Sequence, residues 1–150
     1  MKQSKQFARC ALIFALTLVA GCSDPATHTP NVTLETIAGR YRLESVSGKQ
    51  LPVLQGFCTI EGCGVAFAIT GGHLEIGTEG SNSWRRETSV RTDFPPYEHT
   101  TVQRGTLTVD YYGKLTFSTV NPEGQTLYGA FADAVVTVSE FGTYGYRRID

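Results

Sequence analysis

No stretch of this sequence stays apolar for the roughly twenty residues that a helix needs to cross a hydrocarbon core; the run from Cys10 to Ala20 reaches only about half that length. A sustained 3.6-residue apolar period is missing as well, which excludes a helical bundle. Histidine is scarce, with His28, His73 and His99 the whole supply, and the four cysteines include no C-x-x-C pair. There is no Gly-x-Ser-x-Gly, no His-Glu-x-x-His and no Gly-rich phosphate loop, so the chemistry those motifs support has no carrier. His99 beside Glu98 and near Asp93 is the nearest approach to an acid–base pair, but adjacent residues of a strand point to opposite faces. The sequence therefore reads as non-catalytic, with no catalytic residue, no metal site and no cofactor assigned.

What is present begins at the amino terminus. Met1 to Arg9 carries three positive charges and no negative one, and the apolar run to Ala20 follows. Charge, a short apolar stretch and then small residues is the layout of a secretory signal peptide. The run ends Leu18-Val19-Ala20-Gly21-Cys22, which resembles the bacterial lipobox, where cleavage precedes a cysteine that is then acylated. The resemblance implies that residues 1–21 are a lipoprotein signal peptide and that Cys22 is the lipidation site, carrying palmitate-class chains that attach the protein to a membrane. The alternative is an ordinary cleavage after Ala20 or Gly21 that leaves a free thiol. Ser23, where an Asp would signal inner-membrane retention, implies the outer membrane facing the periplasm in a Gram-negative host. One acyl chain binds a bilayer only marginally, whereas two or three hold firmly.

Residues 22–38, with Pro25, Pro30 and many small polar side chains, read as the lipidated terminus and a flexible tether. Removing residues 1–21 takes three of the 13 basic side chains and none of the 14 acidic ones, leaving a net charge of −4. That balance argues against nucleic acid, whose phosphates call for a basic stripe. With Cys10 in the signal and Cys22 acylated, Cys58 and Cys63 remain. In an exported chain a leftover pair reads as a disulfide. A metal site drawing on His73, or two free thiols, are the alternatives.

From Gly39 to Asp150 the chain is punctuated by glycine and rich in Val, Thr, Tyr, Phe and Leu, with apolar residues alternating at period two. Eight strands are predicted: Arg40 to Ser47, a segment within Val65 to Thr78 split near Gly71-Gly72, Ser83 to Thr92, Glu98 to Asp110, Lys114 to Thr119, Gln125 to Ala132, Ala134 to Ser139 and Thr143 to Ile149. Short turns make consecutive strands antiparallel neighbours, and closing the sheet removes its two exposed edges. The expected fold class is all-β, a single antiparallel up-and-down barrel of about eight strands over residues 39–150. A two-sheet sandwich is the alternative.

The segment Ala38-Gly39-Arg40-Tyr41-Arg42-Leu43 at its start, Tyr144-Gly145-Tyr146-Arg147-Arg148 at its end, and repeats such as Gly72-His73-Leu74-Glu75-Ile76 resemble the small bacterial lipoproteins with a lipocalin-like domain, a calycin-type barrel. Lipocalins carry Gly-x-Trp on the first strand and an Arg on the last that packs across it. The resemblance implies that Gly39 and Tyr41, with Arg147 or Arg148, close one barrel end. The chain departs from that pattern in reaching Asp150 without a helix after the last strand. It departs again in holding Pro52, Gly56, Gly62 and the Cys pair where fatty-acid-binding relatives have two helices, so residues 48–64 read as a pinned loop.

Tyr41, Leu43, Trp84, Arg86, Phe117, Phe131 and Tyr146 are the candidates for lining a ligand cavity, or equally for filling the barrel solid, with any cavity at the mouth near residues 48–64. Arg85, Arg86 and Arg91 form either a basic cluster or part of a mixed-charge outer face. Arg86 shares the Trp84 face; pointing inward it requires a partner, and it would be the first candidate for recognising a carboxylate. Phe94-Pro95-Pro96-Tyr97 is either a stiff protein contact or a connection packed on the barrel. The functional expectation is a lipid-anchored binding module of the cell envelope for a small apolar or amphiphilic molecule. The alternative is a structural or interaction module, an inhibitor or assembly factor, with a solid core.

Overall fold

Period-two alternation gives a sheet one apolar face, and this chain buries that face by curling the sheet on itself. The computed structural model describes residues 32–56, 58–59, 62–63, 67–93, 96–121 and 124–150. After a helical turn, α1 (Leu34–Ile37), the strands are β1 (Gly39–Val46), β2 (Lys49–Gln50), β3 (Val53–Gln55), β4 (Cys58–Thr59), β5 (Gly62–Cys63), β6 (Phe67–Ile76), β7 (Ser83–Asp93), β8 (Pro96–Val109), β9 (Lys114–Asn121), β10 (Thr126–Ala132), β11 (Val135–Ser139) and β12 (Thr143–Arg148). β6 to β12 run up and down in sequence order, and β1 pairs with β12 on one side and β6 on the other. Eight antiparallel strands thus close into a barrel, with β2 and β3 as short additions and β4–β5 as a separate hairpin.

The architecture is the one the alternation predicts; the departures lie at its margins. The second long strand, expected to break at Gly71-Gly72, runs unbroken as β6 and absorbs the glycines in a register shift between Ile69 and Gly71. β8 starts at Pro96, which pairs with Asp93, so the connection before it is shorter than expected. Residues 48–64, read as loop, contain four short paired segments. Residues 32–38, read as the end of the tether, lie on the barrel: Thr33 caps α1 reciprocally with Thr36, Ile37 is fully buried, and Val32 and Leu34 pack against the core.

Closure is uneven along the barrel axis. Gly39–Arg42 pairs with His73–Ile76, but above this seam β1 turns to β2 and the upper part of β6 turns to β3. β8 and β9 pair only from Arg104 and Asn121 downward. Below these points the interior is packed: Tyr41, Ile76, Trp84, Leu107, Leu115, Phe117, Val136 and Tyr146 are buried. Trp84 meets Phe117 edge to face at 5.3 Å and donates its indole N–H to the Thr106 carbonyl at 3.1 Å. Gly105 sits at the β8 register shift, where an added Cβ would lie 1.8 Å from the Ser118 carbonyl oxygen; only glycine lets β8 and β9 approach there. Among the described residues, no helix is long and apolar enough to cross a membrane.

Phe117→Ala is expected to lower the unfolding free energy by about 3–5 kcal/mol in urea titration, because it empties the packed half of the barrel. Val120→Ala, three positions on and 65% exposed, should change it by no more than about 0.5 kcal/mol.

Candidate functional site

The two ends of the barrel differ in chemistry. At the end where β1 begins, Gly39 has φ 149° and an added Cβ would lie 2.9 Å from the Asp150 carboxylate and 3.3 Å from Arg148 Nε, so the position favours glycine twice over. The Arg148 guanidinium lies over the Tyr41 ring at 5.3 Å and the Phe131 ring at 5.8 Å. Its Nη2 donates to the carbonyls of Thr36 and Ala38 and to the Tyr41 hydroxyl, all within 2.9 Å. The Tyr41 hydroxyl donates in turn to the Ile37 carbonyl at 2.6 Å. Burial raises the Tyr41 pKa against the opposing charge and hydrogen bond of Arg148. Of the two arginines considered for this place, Arg148 occupies it; Arg147 points outward and pairs with Glu44 at 2.8 Å. This end is closed.

Among the described residues, the other end is open. Strand parity runs Trp84, Arg86, Thr88 and Val90 up the inner face of β7, and it places a guanidinium, 4% exposed, inside the barrel. Arg86 Nη2 donates to Glu140 Oε2, and the guanidinium carbon lies 4.9 Å above the Tyr144 ring. Gln103 stands directly opposite Arg86 on β8. Its amide N–H group donates to Glu140 Oε1 and to Gln125 Oε1, each at 3.2 Å, and Gln125 donates to Glu140 Oε1 at 3.0 Å. Burial alone would raise the Glu140 pKa, but the Arg86 charge and the donors from Arg86, Gln125 and Gln103 outweigh it and hold the carboxyl below its ordinary range. The cluster is therefore a neutral ion pair braced by two amides.

Above this floor lies a cavity of about 620 Å³, walled by Phe67 and Ile69 of β6, Thr88 and Val90 of β7, His99 to Gln103 of β8, and Tyr144. Among the described residues, Arg86 Nη1 and Gln103 Oε1 are buried without a hydrogen-bond partner. Burial pushes the Tyr146 pKa up to about 12. The cavity opens beside the upper part of β8, where Pro96 to Val102 are exposed.

The sequence-predicted residues divide accordingly. Leu43, Trp84, Phe117 and Tyr146 belong to the packed core, and Phe131 rests against it. Arg86 sits at the boundary between the packed and open halves. Arg85 faces outward to Glu75 and Glu87, so it forms no cluster with Arg86. His99 is on the cavity wall, its ring stacked on Tyr97 at 5.9 Å. Cys58 and Cys63 are directly opposite in the β4–β5 register. Among the described residues no three His, Cys, Asp or Glu side chains gather as metal ligands. Cys22, His28, Phe94 and Pro95 lie outside the described residues. Sequence reasoning missed Glu140, Gln103 and Gln125. The available signal was parity: Gln103 shares the inward phase of Leu107, and a polar residue in that phase marks an interior that is not wholly apolar.

Arg86→Ala strands a buried carboxylate and should cost about 3–5 kcal/mol, whereas Arg86→Met combined with Glu140→Gln should cost less than the two single changes together. The pH dependence has two arms. A depressed carboxyl stabilises fully above its ordinary 4.5 and the contribution is lost as pH falls through the lower native value. The stability difference between the native protein and Glu140→Gln should therefore narrow as pH falls from 4.5 toward that lower value. A raised phenol stabilises fully below 10 and the contribution is lost as pH rises toward about 12, so Tyr146→Phe should gain on the native protein across that interval in alkaline unfolding.

No family model matches the chain, and no curated protein or solved structure matches it significantly. By geometry it is an eight-stranded antiparallel up-and-down barrel of calycin-like form.

Proposed function

We propose that this protein is a lipid-anchored, non-catalytic binding module of the cell envelope that holds a small amphiphilic molecule in the open end of its barrel. The observation that carries this reading is the cavity of about 620 Å³, with Phe67, Ile69 and Val90 on its walls and the buried Arg86–Glu140 pair beneath. Ligand pockets run to about 300–1,000 Å³, mostly apolar with a few placed polar groups. The lipocalin-like reading draws support from Arg148 lying across Tyr41 beside Gly39, as an arginine lies across the first-strand aromatic in that family.

The anchor reading rests on Leu18-Val19-Ala20-Gly21-Cys22. Val32, where the described chain begins, lies against Gly113 at the closed end. Nine residues lie between it and Cys22, and the ten steps span at most about 35 Å. A lipid on Cys22 therefore tethers the closed end and leaves the cavity facing away from the bilayer. Cys58 and Cys63, opposite in register, are read as a disulfide that pins the β4–β5 hairpin.

A second reading, an interaction module, is favoured by one feature: β8 from Pro96 to Gln103 pairs with β7 on one side, and among the described residues no strand pairs with its other edge. Such an edge is a template for an added strand. That reading expects Glu98→Pro, on the same exposed strand but off the cavity wall, to weaken partner binding without weakening cavity ligands.

The primary reading is tested with the mature chain carrying Cys22→Ser and the neutral dye Nile red. Saturable one-to-one binding is expected, weakened about tenfold (~1.4 kcal/mol) by Val90→Trp, which fills the cavity. Absence of saturable binding, or binding indifferent to Val90→Trp, contradicts it.

A further inference from the structure

The turn between β8 and β9 carries two large rings where turn chemistry favours small polar side chains. Tyr111 is 95% exposed and Tyr112 81%, and among the described residues no other large apolar side chain is as exposed as Tyr111. The rings meet edge to face at 5.5 Å. The backbone beneath them is firmly built. Asp110 Oδ1 accepts from the Tyr112 and Lys114 amides at 2.8 and 2.9 Å. The Gly113 amide donates to the Asp110 carbonyl at 3.0 Å, and the Asp110 amide to the Lys114 carbonyl at 3.1 Å. Gly113 supplies the positive φ of 77° that this turn requires. The two rings are thus presented outward on a fixed platform, at the end of β8 remote from its cavity wall.

Beside them the chain enters the barrel. Val32 lies against Gly113, and Val32, Tyr112 and Phe131 share one surface depression. Nine residues lie between Val32 and Cys22, so an acylated Cys22 holds this turn within the roughly 35 Å that ten steps span. A tether of that reach keeps the closed end near the bilayer without fixing which turn meets it. It also makes a second contact intramolecular, so a contact too weak to hold a free protein still orients a tethered one. Tyrosine suits such a contact, because its ring sits at the apolar boundary while its hydroxyl stays among the headgroups. Charge does not supply the attraction. Among the described residues, the charged side chains of the turn and the depression are Asp110, Lys114 and Asp133, and Lys114 already lies over the Tyr128 ring at 4.6 Å. We propose that Tyr111 and Tyr112 dock on the zwitterionic headgroup layer of the bilayer that holds the Cys22 lipid, setting the barrel upright with its cavity away from the membrane. This rests on the reading of Cys22 as acylated and names the surface of the domain that meets the bilayer.

The test is solution NMR of the native protein, purified with its lipid and reconstituted in phosphatidylcholine nanodiscs that carry a gadolinium-chelate lipid. Mass spectrometry of the same sample reads the acylation of Cys22 independently. Relaxation enhancement should be severalfold stronger at Asp110 to Gly113 than at Thr78 to Ser81, in the β6–β7 turn of the same end. It should be weakest at Glu98 to Val102, beside the cavity. Tyr111→Ser with Tyr112→Ser should remove the difference between the two turns and leave the urea midpoint unchanged, since neither ring is buried. The native pattern should persist in about 1 M salt, where charges are screened beyond about 3 Å.

Equal enhancement at the two turns of the acylated native protein overturns the docking, as does a difference that survives the double substitution or disappears in salt. Amide shifts at Tyr111 and Tyr112 that grow with the concentration of the Cys22→Ser chain, without lipid, assign the rings to a second copy and overturn it too. In each of these cases the acyl mass on Cys22 leaves the anchor reading standing. A native protein with an unmodified Cys22 removes the anchor reading and the docking together.

Discussion

The antiparallel pairing of Gly39–Arg42 with His73–Ile76 is the contact on which the rest of the structure depends. It joins the first strand of the barrel to the second and converts an open sheet into a closed one. Without it, Tyr41, Leu74, Ile76 and Trp84 would face solvent on one side, and β1 and β6 would be free edges. Its reach is short, and that shortness shapes the molecule. Above Arg42 the two strands part, and the β8–β9 ladder stops at Arg104 and Asn121. One half of the barrel is sealed on all sides and packs as a core. Among the described residues, the other half is a trough between the tall β6–β8 sheet and Gln125 and Glu140.

The change in side-chain chemistry along the inner face of β7 follows this division. Trp84 lies in the sealed half against Phe117. Two residues up, Arg86 lies where the wall opens, and there a charge is tolerated because Glu140 pairs with it and is itself held by Gln103 and Gln125. The energetic logic is that of a buried ion pair. Its net contribution to stability is small, but removing one partner is expensive. Such a pair holds the β11–β12 turn against β7 and β8 at the floor of the cavity. The closed end uses an arginine differently. Arg148 spreads over Tyr41 and Phe131 and meets the carbonyls of Thr36 and Ala38, which ties α1, β1 and β12 together through backbone acceptors.

The sequence revealed strands more readily than contacts. Period-two alternation in Trp84–Arg86–Thr88 and in Leu107–Val109 identifies both the strand and its inward face, so Arg86 could be placed inside before its partner was known. Glu140 could not, because it sits in a turn, where no period constrains side-chain direction, 54 residues away in sequence. Gly71-Gly72 looks like a break on composition, yet paired neighbours on both sides carry the strand through it. The turn at Leu34–Ile37 was hidden for a different reason. Its capping pair is Thr33 with Thr36 rather than the Ser/Thr with Glu/Gln that marks a helix start, and one helical turn is too short to show a period. The choice between Arg147 and Arg148 turned on the strand register, which a run of two arginines does not disclose.

Amide hydrogen exchange, read residue by residue, tests the half-closed barrel most directly. Arg40 to Arg42 and His73 to Ile76 should exchange as slowly as the β9–β10 ladder, because the seam opens only when the whole barrel does, while Tyr97 to Val102 should exchange far faster. If the seam amides exchange as fast as that free edge, the sheet is open, and the cavity with its charged floor does not exist in the form described.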